Sequence, residues 1–176
     1  MPAPAYRRRS KPSPKVAEAP VAARPGEVLI WTDGACRKNP GPGGWAAIVV
    51  GADGGATVEL SGSVAATTNN RMEYQAALEG LRSLADGASV CIVTDSRLML
   101  DSMTKWIHGW KRKGWKTAAG EPVKNQDLVQ ALDAEIARHV AVRWHWVRGH
   151  EVGRQHAHKA LNDRADQLAV AASHAA

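Results

Sequence analysis

Between residues 27 and 64, runs of apolar and β-branched residues alternate with clusters of glycine, proline and aspartate, which is the pattern of short strands joined by turns. The stretch 38–44 is rich in glycine and proline and must reverse the chain, and 51–55 has the composition of a hairpin turn. Connections this short predict an antiparallel meander. Its three strands are predicted at 27–36, 45–50 and about 57–64.

After residue 68 the pattern changes to helices that alternate with strands. A helix capped by Asn69 and Asn70 is predicted to run to about residue 85, where Asp86 and Gly87 end it. The later elements are predicted as a strand at 89–94, helices at 96–107 and 125–139, a strand at 140–147 and a final helix beyond 160. In the last strand, Val140, Val142, Trp144 and Trp146 fall on one side. This order predicts an α/β fold with a five-stranded mixed sheet, a meander of three strands and then two more, flanked by helices.

Two of the predicted strands contain the same local sequence. The apolar run of the first leads into Thr32-Asp33-Gly34, and that of the fourth leads into Thr94-Asp95-Ser96. If these strands are neighbours, the two carboxylates meet, and close like charges are unfavourable unless a cation lies between them or one is protonated. A hard cation such as Mg²⁺ or Mn²⁺ is the first hypothesis. The alternative is that each aspartate is a helix cap or a turn former.

Glu73 is a third candidate acid. At 100° per residue it lies at the edge of the apolar face of the predicted 69–85 helix, near the N-terminus of that helix. The alternative is a first-turn glutamate that the helix dipole favours.

The charge of the chain is concentrated at its start. Residues 1–26 hold six basic residues against one acid, Glu18, and so carry +5 of the net +6. This segment is rich in proline, alanine and arginine without apolar periodicity, so we predict a disordered basic tail at 1–26 and one domain at 27–176. An Arg-rich transit peptide is the alternative, which the prolines oppose.

Two cysteines without paired spacing, and no apolar run of membrane-spanning length, predict a soluble protein of a reducing compartment, in the cytoplasm and away from membranes.

A second cationic feature lies between Asp101 and Glu121, where no acid occurs. Tryptophans that can stack and cations that neutralise phosphates are what a nucleic-acid surface needs. The alternative is a solvated helix whose tryptophans dock into the core. The residues are Lys105, Trp106, Trp110, Lys111, Arg112, Lys113, Trp115 and Lys116.

Several blocks of the chain, in this order, resemble the type 1 ribonuclease H family. The blocks are TDGAC and NPGPGGWA within 32–47, TTNNRMEYQAALEGL at 67–81, TDSRLML at 94–100, WIHGWKRKGWKT at 106–117, GEPVKNQDL, WVRGHE and NDRADQLA. The resemblance implies a ribonuclease H-like fold and hydrolysis of the RNA strand of RNA–DNA hybrids, leaving 5′-phosphate and 3′-hydroxyl ends. It implies a monomer without an obligate protein partner.

The same resemblance implies roles for individual residues. It assigns two Mg²⁺ ions, with Mn²⁺ as a substitute, to the four acids Asp33, Glu73, Asp95 and Asp166. It makes His150 a loop histidine that assists proton transfer or product release, with an exposed histidine as the alternative. For the substrate it implies minor-groove contacts by Asn39, Asn69 and Asn70, a phosphate pocket at Thr68 and Asn125, and a basic protrusion at 106–116.

The chain also departs from the family pattern. Ala66 stands where an arginine often supports the phosphate pocket, and Arg97 replaces a residue that is commonly neutral. The segment 150–166 is longer than the family implies, with Asp163-Arg164-Ala165 in place of Glu-Arg-Cys. Two other functions stay open beside hybrid cleavage. They are a catalytically silent hybrid-binding module and a two-metal enzyme that acts on DNA.

Overall fold

The structure, a computed structural model, describes residues 21–148 and 159–176. Its centre is a five-stranded sheet in the order β3-β2-β1-β4-β5. The strands are β1 Glu27–Cys36, β2 Gly41–Val50, β3 Thr57–Thr67, β4 Ser89–Thr94 and β5 Ala141–Trp146. β1 is antiparallel to β2 and parallel to β4, and β4 is parallel to β5. The predicted mixed sheet is therefore confirmed.

Helices cover both faces of this sheet. They are α1 Asn69–Arg82, α2 Arg97–Asp101, a π-helical turn Ser102–Trp106, α3 Ile107–Arg112, α4 Gln126–Ala137 and α5 Lys159–Ala175. Along β1, Ile30 packs on the side of α1 and α4, and Trp31 packs on the opposite side with Ala165 of α5. Because successive strand residues point to opposite faces, one strand serves two cores. None of the helices in the described residues is both long and apolar enough to cross a membrane.

β2 begins earlier than predicted, and β3 ends later, because glycines let the two strands stay paired. The strand begins at Gly41 rather than residue 45, and β3 extends to Thr67, with a register shift between Gly41 and Gly43. A Cβ on Gly43 would lie 2.4 Å from Cγ2 of Thr67, so only glycine lets the two strands continue this close together. Residues 41–44, which are predicted to form a turn, are therefore part of β2.

Three helix and strand ends also differ from the prediction. Thr68, rather than Asn69 or Asn70, caps α1, with its Oγ1 accepting from the Arg71 amide at 3.2 Å. The helix predicted at 96–107 continues to Arg112 through the π-helical turn. Val140 lies before β5 and is 76% exposed, because the strand begins only at Ala141.

Residues before Glu27 contact the domain. Val21 is buried in the cluster that contains Trp31, and the Ala22 carbonyl accepts from Nη2 of Arg143 at 2.8 Å. Residues 21–26, which the composition assigns to the tail, therefore pack against the domain in the structure. Residues 1–20 lie outside the described residues.

Candidate active site

Three carboxylates form one cluster at the edge of the sheet. Oxygen atoms of Asp33, Glu73 and Asp95 all lie within 4.8 Å of one another. β1 and β4 are adjacent and parallel, with Trp31 paired to Val93, so the same register two residues later brings Asp33 beside Asp95. The two Thr-Asp pairs thus lie side by side where the pairing of β1 with β4 stops, although β1 itself continues to Cys36.

Gly34 explains how Glu73 reaches this edge. A Cβ at Gly34 would lie 2.7 Å from the Glu73 amide nitrogen and 2.8 Å from the Cβ of Met72. Only glycine lets the first turn of α1 pack this closely on β1. The close approach places Glu73 over the end of the strand that carries Asp33.

The pKa values of two of these acids are raised. The Asp33 side chain is buried, with 4% exposure, and Oδ1 accepts from the Gly34 amide at 2.8 Å. Burial, and then the negative charge of Asp95, raise the pKa of Asp33 to about 7. Burial, followed by the charges of Asp33 and Asp95, raises the pKa of Glu73 well above its ordinary value. The cluster therefore resists holding all its negative charges together.

The donor set fits a hard divalent cation. Oε2 of Glu73 is buried and has no hydrogen-bond partner among the described residues. A buried carboxylate oxygen needs such a partner or a cation. The cluster consists of carboxylate oxygens alone, which are the ligands that Mg²⁺ and Mn²⁺ prefer.

Asp166 lies on α5 and faces the same region. Its charge contributes to the raised pKa of Asp33, although Asp166 is not part of the 4.8 Å cluster found among the described residues. α5 reaches this position by packing on β2, where a Cβ at Gly44 would lie 2.3 Å from the carbonyl oxygen of Ala169. His150 lies outside the described residues, so its predicted role stays a prediction.

The backbone around Asp95 is fixed by groups that the sequence analysis does not identify. Nε1 of Trp146 donates to the Asp95 carbonyl oxygen at 3.1 Å, and Oγ1 of Thr94 accepts from the Ser96 amide at 3.0 Å. Trp146 is paired with Thr94 in the β4–β5 register. The sequence could reveal this contact only if it showed that the end of β5 lies beside the end of β4. That follows from the parallel pairing of the two strands, which the sequence does not give.

The predicted minor-groove and phosphate residues lie around the start of α1. Oδ1 of Asn39 accepts from the Asn69 amide at 3.2 Å, and Asn69 and Asn70 are exposed. Asn125 has left-handed backbone geometry, with φ 60°, and its Oδ1 accepts from Nη1 of Arg71 at 3.4 Å. Thr68 caps the same turn. The structure therefore brings Thr68 and Asn125 to one place.

Arg71 is the link between these two residues, and the sequence analysis misses it. Its guanidinium forms two hydrogen bonds with Asp127, at 3.0 and 2.7 Å. This ion pair holds α1 to the start of α4. Its signal in the sequence is weak, because an arginine three residues after a cap is an ordinary exposed helix position.

The tryptophan-rich cationic segment forms a partly open surface, which we call the basic surface. An open groove of about 340 Å³ runs along it, lined by Lys105, Trp106, Trp110, Arg112, Lys113 and Lys116. Trp106 is 44% exposed, whereas Trp110 and Trp115 are half-buried against the core. Lys111 forms an ion pair with Asp133 at 2.8 Å. Trp110 and Trp115 therefore pack against the core, as the alternative interpretation expects, while Trp106 is exposed; nucleic-acid binding by this surface stays a prediction.

Comparisons with known proteins show which proteins this chain is similar to. A family model described as RNase H matches residues 25–174. The ribonuclease H of Paracoccus denitrificans is 50% identical over 147 residues, which covers 82% of this chain and 90% of that protein. The ribonuclease H of Neisseria gonorrhoeae is 52% identical over 142 residues, covering 81% of this chain and 92% of that protein. The crystal structure of LC9-RNase H1, a type 1 RNase H with the type 2 active-site motif, is 34% identical with a TM-score of 0.72, and the match covers 88% of this chain and 75% of that one.

Proposed function

The chain belongs to the ribonuclease H family, and from that premise we propose that it is a metal-dependent endonuclease that hydrolyses the RNA strand of RNA–DNA hybrids. The products would carry 5′-phosphate and 3′-hydroxyl ends. The observation that supports this most directly is the cluster of Asp33, Glu73 and Asp95 within 4.8 Å. A binding protein would gain nothing from placing three carboxylates where a phosphate must approach.

The four acids Asp33, Glu73, Asp95 and Asp166 would hold two Mg²⁺ ions, for which Mn²⁺ could substitute. Such ions supply Lewis-acid chemistry that makes water a better nucleophile and stabilises charge on the departing 3′ oxygen. Asp33 and Asp95, side by side where the pairing of β1 with β4 stops, are suited to central ligation. Glu73 would bind one ion through its unpartnered Oε2 and approach the ribose, and Asp166 would complete the other site.

The protein part of the mechanism is positioning. Trp146 holds the Asp95 backbone through the 3.1 Å hydrogen bond, and Gly34 lets α1 bring Glu73 over β1. Burial of Asp33 and Glu73 keeps their carboxylates out of water, so a cation between them gains more than it would in solvent. His150 would assist proton transfer or product release.

Recognition of the hybrid would use the surfaces on either side of the cluster. Only the 2′-hydroxyl distinguishes RNA from DNA at a given nucleotide. Asn39, Asn69 and Asn70 would contact the minor groove, while Glu73 would touch the 2′-hydroxyl at the bond to be cut. Thr68 and Asn125 would bind a phosphate of the DNA strand. The basic surface would dock the backbone of the DNA strand, through Trp106, Trp110, Lys111, Arg112, Lys113, Trp115 and Lys116. We propose that the protein acts in this way as a cytoplasmic monomer.

The test uses a hybrid duplex labelled on its RNA strand, with Mg²⁺ titrated in and EDTA as the control. Duplex DNA and duplex RNA of the same sequence are assayed in parallel. Cleavage confined to the RNA of the hybrid and dependent on the metal supports the proposal. Hybrid binding without cleavage at any Mg²⁺ or Mn²⁺ concentration would favour a silent hybrid-binding module, and cleavage of duplex DNA would favour an enzyme that acts on DNA.

A further inference from the structure

Arg97 is a cation beside the acidic cluster that the proposed mechanism does not use. It is the first residue of α2 and lies two positions after Asp95. Its side chain is 59% exposed, so it is open to a ligand from solution. A fixed, exposed guanidinium at the mouth of a phosphate-cleaving site is a candidate for binding the substrate.

Trp146 defines where this guanidinium lies. The Cζ atom of Arg97 is 5.6 Å from the centre of the Trp146 ring, within the range of a cation–π contact. The same indole donates through Nε1 to the Asp95 carbonyl oxygen at 3.1 Å. One side chain therefore orients both the backbone of a cluster acid and the cation next to it.

Asp101 forms ion pairs with both Arg97 and Lys105, and these three side chains form a row of charges along the helix. The single carboxylate does not neutralise both cations. Oδ1 of Asp101 lies 3.5 Å from Nε of Arg97 and 3.4 Å from Nζ of Lys105, so two cations share one carboxylate. The row keeps a net positive charge, and it runs along the helix from the acidic cluster to the groove of the basic surface. The ion pair uses Nε, and the terminal nitrogens of the guanidinium can still bind a phosphate oxygen.

We propose that Arg97 binds a backbone phosphate of the RNA strand next to the bond to be cut, with the Trp146 ring as the platform that orients it. This inference rests on the proposed function, because it takes a hybrid as the ligand. In this chain Arg97 is then a substrate-binding residue that joins the acidic cluster to the basic surface. A purely structural role in the Arg97–Asp101 pair, in which the Asp101 side chain is 19% exposed, is the competing explanation, and the salt dependence of binding distinguishes the two.

The experiment compares Arg97→Gln with Arg82→Gln as a matched control. Arg82 lies in the last turn of α1, is 46% exposed and pairs with Glu79 three residues earlier at 3.0 Å, so its replacement removes the same charge from a helix ion pair away from the cluster. Affinity for a labelled hybrid is measured in EDTA, where a metal-dependent enzyme does not cut, over a series of salt concentrations. Cleavage with Mg²⁺ gives kcat and KM separately.

Loss of one phosphate contact should reduce the slope of log affinity against log salt by about one, so that the deficit of Arg97→Gln shrinks about three- to fourfold between about 50 and 200 mM salt. KM should rise and kcat should change little. Arg97→Lys should restore the slope, because the charge is kept. Equal slopes for Arg97→Gln and Arg82→Gln would overturn the proposal.

The binding and cleavage measurements separate the two proposals. If the wild type does not cleave but Arg97→Gln still lowers the salt slope, the proposed function fails and phosphate binding by Arg97 stands. If the wild type cleaves and the slope of Arg97→Gln equals that of the control, the proposed function stands and the assignment of Arg97 fails.

Discussion

At the scale of single residues, the acidic cluster places carboxylates that repel one another in a buried site. Burial and mutual repulsion raise the pKa values of Asp33 and Glu73, so the site carries an electrostatic cost when it is empty of cations. Under the proposed function, a divalent ion would relieve this cost and would bind the folded state alone, since the unfolded chain separates the acids. Metal binding would then be linked to folding stability.

Asp95→Asn tests this link and the site together. We expect cleavage to fall at least about a thousandfold, because metal-ion catalysis supplies several kcal/mol and each 1.36 kcal/mol is a factor of ten. Hybrid binding should persist, since the change removes a metal ligand and leaves the docking surfaces intact. Mg²⁺ should raise the melting temperature of the wild type more than that of the variant. Asp86→Asn, an exposed acid in the loop after α1, is the control that should keep full activity.

A second residue-scale prediction concerns Glu27 and pH. Its carboxylate accepts from Nε and Nη2 of Arg143 at 2.8 and 2.6 Å, and this hydrogen bonding lowers the pKa of Glu27. Because the folded-state pKa is below the unfolded value of about 4.3, the stabilisation is complete above that value and is lost as the pH falls through the folded-state pKa.

At neutral pH, Glu27→Gln should lower the free energy of unfolding by about 1–3 kcal/mol, which is typical of hydrogen bonds to a charged group. The difference from the wild type should shrink as the pH falls from about 5 to about 3, because protonation then removes the same charge in the wild type. Urea titration at several pH values measures this. Glu59→Gln, which breaks the exposed pair with Arg164, should change stability little at any pH. A constant difference between wild type and Glu27→Gln across that range would contradict the assignment.

Residue-level prediction from the sequence succeeds where the signal is local. Asp33 and Asp95 each follow an apolar run, so the sequence alone predicts that each is carried to the same edge by a strand. Arg71 and Trp146 were missed because their partners, Asp127 and the Asp95 carbonyl, are brought to them only by packing between elements. Periodicity shows which face a side chain occupies, but it does not show what lies opposite.

At the scale of elements, the packing of α5 on β2 depends on one glycine. A Cβ at Gly44 would lie 2.3 Å from the Ala169 carbonyl oxygen and 2.5 Å from the Ser173 amide, both of them helix backbone. Gly44→Ala should therefore push α5 away from the sheet and destabilise the protein by about 1–3 kcal/mol, the usual cost of overpacking. Cleavage should fall as well, since α5 carries Asp166.

Gly109→Ala is the matched control for Gly44→Ala. A Cβ at Gly109, inside α3, would meet only Nη2 of Arg112, at 4.0 Å. Alanine should stabilise this helix by about 0.5–1 kcal/mol relative to glycine. Urea titration should thus shift the two midpoints in opposite directions. An unchanged midpoint for Gly44→Ala would mean that α5 is not held against β2 as the structure shows.

Elements with a simple period were predicted closely from the sequence, and those shaped by tertiary contacts were not. β1 and β4 have the predicted bounds, because turn residues mark both of their ends. The π-helical turn Ser102–Trp106 was missed, since no sequence period distinguishes it from an α-helix. There Tyr74 donates its hydroxyl hydrogen to Ser102 at 2.8 Å, a buried contact from α1 that only the folded structure reveals.

At the scale of the whole molecule, most of the basic charge of the N-terminal segment lies before the residues that contact the domain. Residues 1–20 carry a net charge of +4, whereas Val21 and Ala22 pack against the domain. Deleting 1–20 should weaken hybrid binding mainly at low salt and reduce the salt slope, because the lost cations act through counterion release. The melting temperature should stay the same.

Deleting 1–26 provides the comparison. This truncation should reduce the salt slope to a similar degree and should also lower the melting temperature, because it removes the buried Val21 side chain and the Ala22 carbonyl that accepts from Arg143. An unaltered salt slope in both truncations would show that the basic tail does not touch the substrate.

The distribution of the acids along the chain has a consequence for synthesis on the ribosome. Asp33 lies on β1, Glu73 on α1 and Asp95 after β4, but Asp166 lies on α5, which follows all of these elements in the chain. α5 also completes the core around Trp31 through Ala165. Under the proposed mechanism, a nascent chain would hold most of the carboxylates early and stay inert until α5 left the exit tunnel. Translation products that stop before residue 166 would lack this acid, and they would therefore not degrade hybrids.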